Sequence, residues 1–138
     1  MKRTLLVASH STLASGMTDA LKFFAGDDSK IITLNAYVDN KPIAGQIKYI
    51  FNRFSDDEEV VVLTDLLAGS VNQEMYKYRE RPHTQIITGM NLALGLAILL
   101  EPADKYLTAT RINELIKDAQ NNLVYMNEYT AEVSDDDE

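Results

Sequence analysis

Val60-Val61-Val62-Leu63-Thr64-Asp65-Leu66-Leu67-Ala68-Gly69-Ser70 decides how the rest of the chain is read. Its first four residues form an unbroken apolar run, the pattern of a strand buried on both faces of a parallel sheet. The run gives way to a carboxylate and a short loop that ends in Gly69-Ser70. A helix follows from about Ser70, where Gln73 three residues later reads as a capping box. A strand feeding directly into a helix is one β-then-α unit, and the same unit recurs on both sides of it.

Upstream, Thr4-Leu5-Leu6-Val7-Ala8 is a second continuous apolar run, followed by Leu13, Met17, Leu21 and Phe24 on one helical stripe. Gly26-Asp27-Asp28 stops that helix before Ile31-Ile32-Thr33-Leu34, another strand. Asp39-Asn40 reads as a helix cap, with Pro42 in the first turn and Ile43, Ile47, Ile50, Phe51 and Phe54 on the buried stripe. Downstream, Arg81-Pro82 breaks the helix before a fourth strand, Gln85-Ile86-Ile87-Thr88. Gly89 and Asn91 open an apolar helix to about Glu101, and Ile112, Leu115, Ile116 and Ala119 mark a last one. Leu123 to Thr130 reads as a fifth strand or a helix end. Four β-then-α units in succession predict a single α/β domain with an open, mainly parallel sheet and helices on both faces.

Composition agrees and excludes other classes. The chain has 138 residues and is 46% hydrophobic, enough for one domain with a core and too short for two. Zero cysteines remove disulfides, thiolate nucleophiles and Cys-based metal sites, and fit a reducing compartment. The net charge of −8 is unevenly placed: residues 1–117 carry 14 acids and 13 bases, while 118–138 carry seven acids and no base. The body is therefore nearly neutral, and residues 131–138 read as an acidic, disordered tail. That balance argues against nucleic acid, which needs clustered Lys and Arg. The longest apolar run, Leu92 to Leu100, falls well short of the roughly 20 residues a membrane span requires. Met1-Lys2-Arg3 with Leu5 to Ala8 imitates a signal peptide but is broken by Ser9-His10-Ser11, so a buried first strand is the better reading.

In an open parallel sheet ligands bind beyond the carboxyl ends of the strands. Ser9, His10, Ser11 and Thr12 follow strand one, Asp39 and Asn40 strand two, Asp65 to Ser70 strand three, and Gly89 to Asn91 strand four. His10 at a βα junction would act as a general base, a metal ligand or a phosphoryl acceptor. The metal reading is weak, because His83 precedes strand four and belongs at the opposite end. Asp65 is the natural partner: a carboxylate accepting from Nδ1–H fixes the tautomer and leaves Nε2 as the nucleophile. Ser11, Thr12, Gly69 and Ser70 would surround a phosphoryl group there. Bland readings exist for each: a loop histidine, a turn aspartate, a capping serine. A nucleophile elbow, a phosphate-binding loop, a dinucleotide fingerprint and a receiver-type acidic pair are all absent or incomplete.

Three segments carry a resemblance. Leu5-Leu6-Val7-Ala8-Ser9-His10, Val62-Leu63-Thr64-Asp65-Leu66-Leu67-Ala68-Gly69-Ser70 and Ile86-Ile87-Thr88-Gly89-Met90-Asn91-Leu92 resemble the IIA component of the mannose-type (mannose/fructose/sorbose) sugar phosphotransferase system. The likeness spans about residues 3–125. It implies sheet order 2-1-3-4, a cytoplasmic homodimer, a C-terminal fifth strand exchanged between subunits, and no cofactor. It also implies that His10 takes phosphate from phospho-HPr and passes it to a separate IIB protein serving membrane IIC/IID subunits. Asp65 would orient His10, and Ser70 with neighbouring amides would hold the phosphoryl group. Two positions depart from the family: Ser11 stands where Gly is common, and Val71 where Pro is. "His-Ser" also occurs in the phosphoryl-donor subunit of phosphoenolpyruvate-dependent dihydroxyacetone kinase, an alternative reading beside that of a regulatory module without onward transfer.

Overall fold

The computed structural model describes residues 1–130; the acidic tail read from the sequence at 131–138 lies outside the described residues. Strand β1 (Arg3–His10) is followed by α1 (Leu13–Ala25), β2 (Ile31–Ala36), α2 (Ile43–Phe51), β3 (Glu59–Thr64) and α3 (Ser70–Tyr76). Then come β4 (Thr84–Thr88), α4 (Leu92–Leu100) and α5 (Ala109–Gln120). All strand pairs are parallel, as the residue pattern predicts, and the order is β2-β1-β3-β4, as the family resemblance implies.

The alternation of side chains divides the core into two layers. Leu5, Val7, Val61, Leu63 and Ile87 point to the face covered by α1, α4 and α5. Leu6, Ala8, Val60 and Val62 point to the face covered by α2 and α3. Each strand residue therefore meets a helix whichever way it faces, which is why β1 and β3 read as unbroken apolar runs rather than alternating ones. Helix α4 is apolar all round because it lies between α1 and α5 in that first layer. A Cβ on Gly95 would stand 2.8 Å from Leu21 Cδ2, so glycine is what lets α4 approach α1 this closely.

Three local expectations are corrected. Ser70 is not the cap of α3: Gly69 occupies that position, and Ser70, the first helical residue, turns its hydroxyl elsewhere. Asp39-Asn40 does not cap α2; Pro42 does, and Asp39 Oδ1 accepts from the Lys41 N–H in a local turn. Leu123 to Thr130 forms no strand within this chain, only a single 3₁₀ turn at Met126–Glu128. The run makes no ladder with the sheet, and Leu123 is 92% exposed. Asn91 does cap α4, accepting from the Leu94 N–H at 2.8 Å. Among the described residues no helix is long and apolar enough to cross a membrane.

Candidate functional site

Because β1 lies between β2 and β3, the chain's crossovers leave in opposite directions from this part of the sheet, and a crevice opens at the strands' carboxyl ends. Ala8 is in register with Thr64, so His10 and Asp65 emerge side by side just past paired positions of neighbouring strands. Asp65 Oδ2 accepts two hydrogen bonds from His10, from its backbone N–H and from ring Nδ1, each 2.8 Å long. Asp65 Oδ1 accepts from the Leu66 N–H at 3.0 Å. The carboxylate side chain is 7% exposed and the imidazole 38%, so the acid is sheltered and the ring reaches solvent.

Burial pushes the Asp65 carboxyl up, but the hydrogen bonds from the His10 backbone and ring, with the ring's charge, outweigh it. The net effect holds Asp65 below its ordinary 3.8. An ionised carboxylate only accepts, so in the neutral imidazole Nδ1 carries the proton and Nε2 presents its lone pair outward. Ser70 Oγ lies 3.4 Å from that nitrogen. Gly69 is needed beside it: a Cβ there would stand 3.0 Å from His10 Cε1 and 3.2 Å from the Leu66 carbonyl oxygen. The 65–69 loop is pinned from α3, where Asn72 Nδ2 donates to Leu67 O and Gln73 Nε2 to Ala68 O.

The structure thus brings Asp65, Gly69 and Ser70 against His10. Ser11 and Thr12 are placed differently. The Ser11 N–H donates to Ala36 O at 2.8 Å, and both side chains lie exposed without a hydrogen bond to His10. The second and third amides of α1 are also occupied, Ala14 N–H by Ser9 Oγ and Ser15 N–H by Asn35 Oδ1. His83 stacks on Tyr106 at the amino end of β4, away from His10. No group of three His, Cys, Asp or Glu side chains among the described residues is arranged to hold a metal ion.

Sequence reasoning overlooked Tyr37. It follows β2 directly, its ring centroid is 5.4 Å from that of His10, and its hydroxyl is 2.5 Å from Ser70 Oγ. The available signal was its position at the carboxyl end of a strand, where attention fell on Asp39 two residues later. Tyr37 and Ser11 flank His10 with left-handed backbone, at φ 66° and 55°. Such a conformation strains an L residue by roughly 1–2 kcal/mol, which Gly escapes. Ser11→Gly should therefore leave stability within about 1 kcal/mol of wild type, while Ser11→Val lowers it by about 1–2 kcal/mol. Urea unfolding of both variants checks this, and a Val variant as stable as the parent would contradict it.

The family model described as the PTS system fructose IIA component matches residues 4–122. A chain from Klebsiella pneumoniae, assigned to a phosphoenolpyruvate-dependent sugar phosphotransferase system (PTS) permease, is 33% identical, with 93% of each chain covered and a TM-score of 0.86. A PTS IIA protein associated with the fucose utilization operon of Streptococcus pneumoniae is 28% identical, covering 93% of this chain and 96% of that one, with a TM-score of 0.76. The mannose/sorbose-specific IIA subunit from Enterococcus faecalis, at 19% identity and a TM-score of 0.75, shares the fold over 97% of this chain and 100% of its own.

Proposed function

Since this chain belongs to the fructose IIA component family of the sugar phosphotransferase system, we propose that it carries a phosphoryl group on His10 Nε2. The observation that bears most on this is the His10–Asp65 contact: one ring nitrogen is tied to a sheltered carboxylate at 2.8 Å while the other faces outward. In the transfer, the Nε2 lone pair forms a bond to phosphorus. The donor's bond to phosphorus breaks, and that electron pair leaves with the donor. The ring keeps its Nδ1 proton and becomes cationic, and Asp65 stabilises that charge. Onward transfer reverses these events, with the N–P electron pair returning to Nε2.

Phospho-HPr is the donor in this reading and a separate IIB protein the acceptor, serving membrane IIC/IID subunits from the cytoplasmic side. The chain never contacts the sugar. A homodimer belongs to the same reading: Leu123, Val124, Tyr125 and Met126 are four consecutive apolar residues left exposed, the kind of surface that associates.

Incubation with phosphoenolpyruvate, enzyme I and HPr tests the reading. Stoichiometric, acid-labile and alkali-stable label is expected on the wild type and none on His10→Ala. Equal labelling of the two would end it, and phosphorylated protein that gives nothing to any IIB would reduce the chain to a regulatory module.

A further inference from the structure

The hydroxyl of Tyr37 lies outside the set of groups that fix the His10 ring, yet the hydrogen-bond inventory gives it a definite task. Asp65 only accepts, so the Nδ1 proton points at it, and in the neutral ring Nε2 is an acceptor. Ser70 Oγ lies 3.4 Å from Nε2, and a hydrogen bond between them has the hydroxyl as donor. A hydroxyl that donates there can only accept from Tyr37, whose O–H lies 2.5 Å from Ser70 Oγ. Resting on the phosphoryl-carrier reading, we propose that Tyr37 is a positioning residue for the transfer: its hydroxyl holds the Ser70 hydroxyl beside Nε2, poised to donate to the phosphoryl group that arrives there.

Two further observations support a dedicated role. Tyr37 adopts left-handed backbone at φ 66°, an arrangement an aromatic residue rarely takes without compensation. That conformation brings its ring to 5.4 Å from the imidazole, with the planes tilted by 34°. Once phosphorus occupies Nε2, that nitrogen no longer accepts, and the Ser70 proton turns to a phosphoryl oxygen. The Tyr37 O–H then polarises the Ser70 hydroxyl and strengthens its bond to the anion, as linked hydrogen bonds do.

Tyr37→Phe keeps the ring and removes the hydroxyl, and Ser70→Ala removes the intermediary. Their double-mutant cycle, read by the initial rate of His10 labelling from phospho-HPr, isolates the coupling. Tyr37→Phe should slow labelling about 3- to 10-fold, the rate equivalent of one neutral hydrogen bond. It should change the rate less than about twofold in the Ser70→Ala background. The ¹⁵N shift of His10 Nε2 in the unphosphorylated protein should also move on Tyr37→Phe, and not when Ser70 is already Ala. A merely structural role would not produce that pattern. A Tyr37→Phe rate equal to wild type, the same slowing in both backgrounds, or an unmoved Nε2 shift overturns the role and leaves the carrier reading intact. A wild type that takes no label on His10 overturns both.

Discussion

Asp65→Asn is expected to slow phosphoryl transfer to His10 by about 10²–10⁴-fold while the chain stays folded. Asp65 Oδ2 accepts from the His10 backbone N–H and from Nδ1, and Oδ1 accepts from the Leu66 N–H. Asparagine has one acceptor for these three donors. If its oxygen stays on Leu66, its NH₂ faces Nδ1, which must then accept. The ring proton moves to Nε2, and the nucleophile is lost to the wrong tautomer. If the oxygen turns to His10, the amide confronts the Leu66 N–H and the ring loses the charge that stabilises its cationic product. Single-turnover labelling measures the effect, and a rate within threefold of wild type would show that Asp65 does not govern the ring. The same variant has a pH signature. Because folding lowers the Asp65 pKa below 3.8, its contribution is complete above that value and lost as pH falls through the lower folded value. The stability advantage of wild type over Asp65→Asn should shrink on acidification below about pH 4 and hold steady above it.

The largest loss of stability should come from the other end of β3. Glu59 is fully buried; its Oε1 is paired with Arg3 Nε, and its Oε2 accepts from the Leu107 N–H at 2.7 Å. Arg3 extends the arrangement by donating to the carbonyls of Glu101, Pro102 and Lys105. The pair therefore staples the 101–107 segment to the amino ends of β1 and β3. Arg3→Leu strands a buried carboxylate and Glu59→Ala strands a guanidinium and an amide. Each should destabilise by about 3–5 kcal/mol, with part recovered in the double variant. Urea midpoints at unchanged m-value measure this, and a loss under about 1 kcal/mol would mean that water replaces the missing partner. The folded fraction should still label on His10.

Those two carboxylates also mark how far the sequence could be read. Asp65 was legible because it follows an apolar run that can only be a buried strand, and His10 stands in the same relation to β1. Their partnership followed from the rule for parallel sheets. Glu59, in Asp56-Asp57-Glu58-Glu59, looks like part of an acidic turn before the strand, and nothing local shows that Arg3, 56 residues earlier, neutralises it. Tyr37 escaped for a related reason: a positive φ in an aromatic residue is imposed by tertiary context. Ser70 lies 3.4 Å from the His10 ring and is not the cap its spacing suggests, since Ser-x-x-Gln cannot tell a cap from a first helical residue whose hydroxyl faces a histidine. Leu123 to Thr130, with its tyrosines and Val124, reads equally as a strand or a helix end, and in the structure it pairs with neither edge of the sheet.

The register of β1 with β3 separates the chemistry from the means of recognition. His10 and Asp65 are held together by the sheet ladder itself, through the pairing of Ala8 with Thr64, and not by the loops that surround them. Leu66 and Leu67 beside the imidazole, and Val38 next to Tyr37, are by contrast mostly exposed. On the carrier reading proposed above, substitutions in these rims alter docking without altering the distance at which the imidazole is held. On that reading, such an arrangement leaves the docking surface free to change while the geometry of the ring stays fixed.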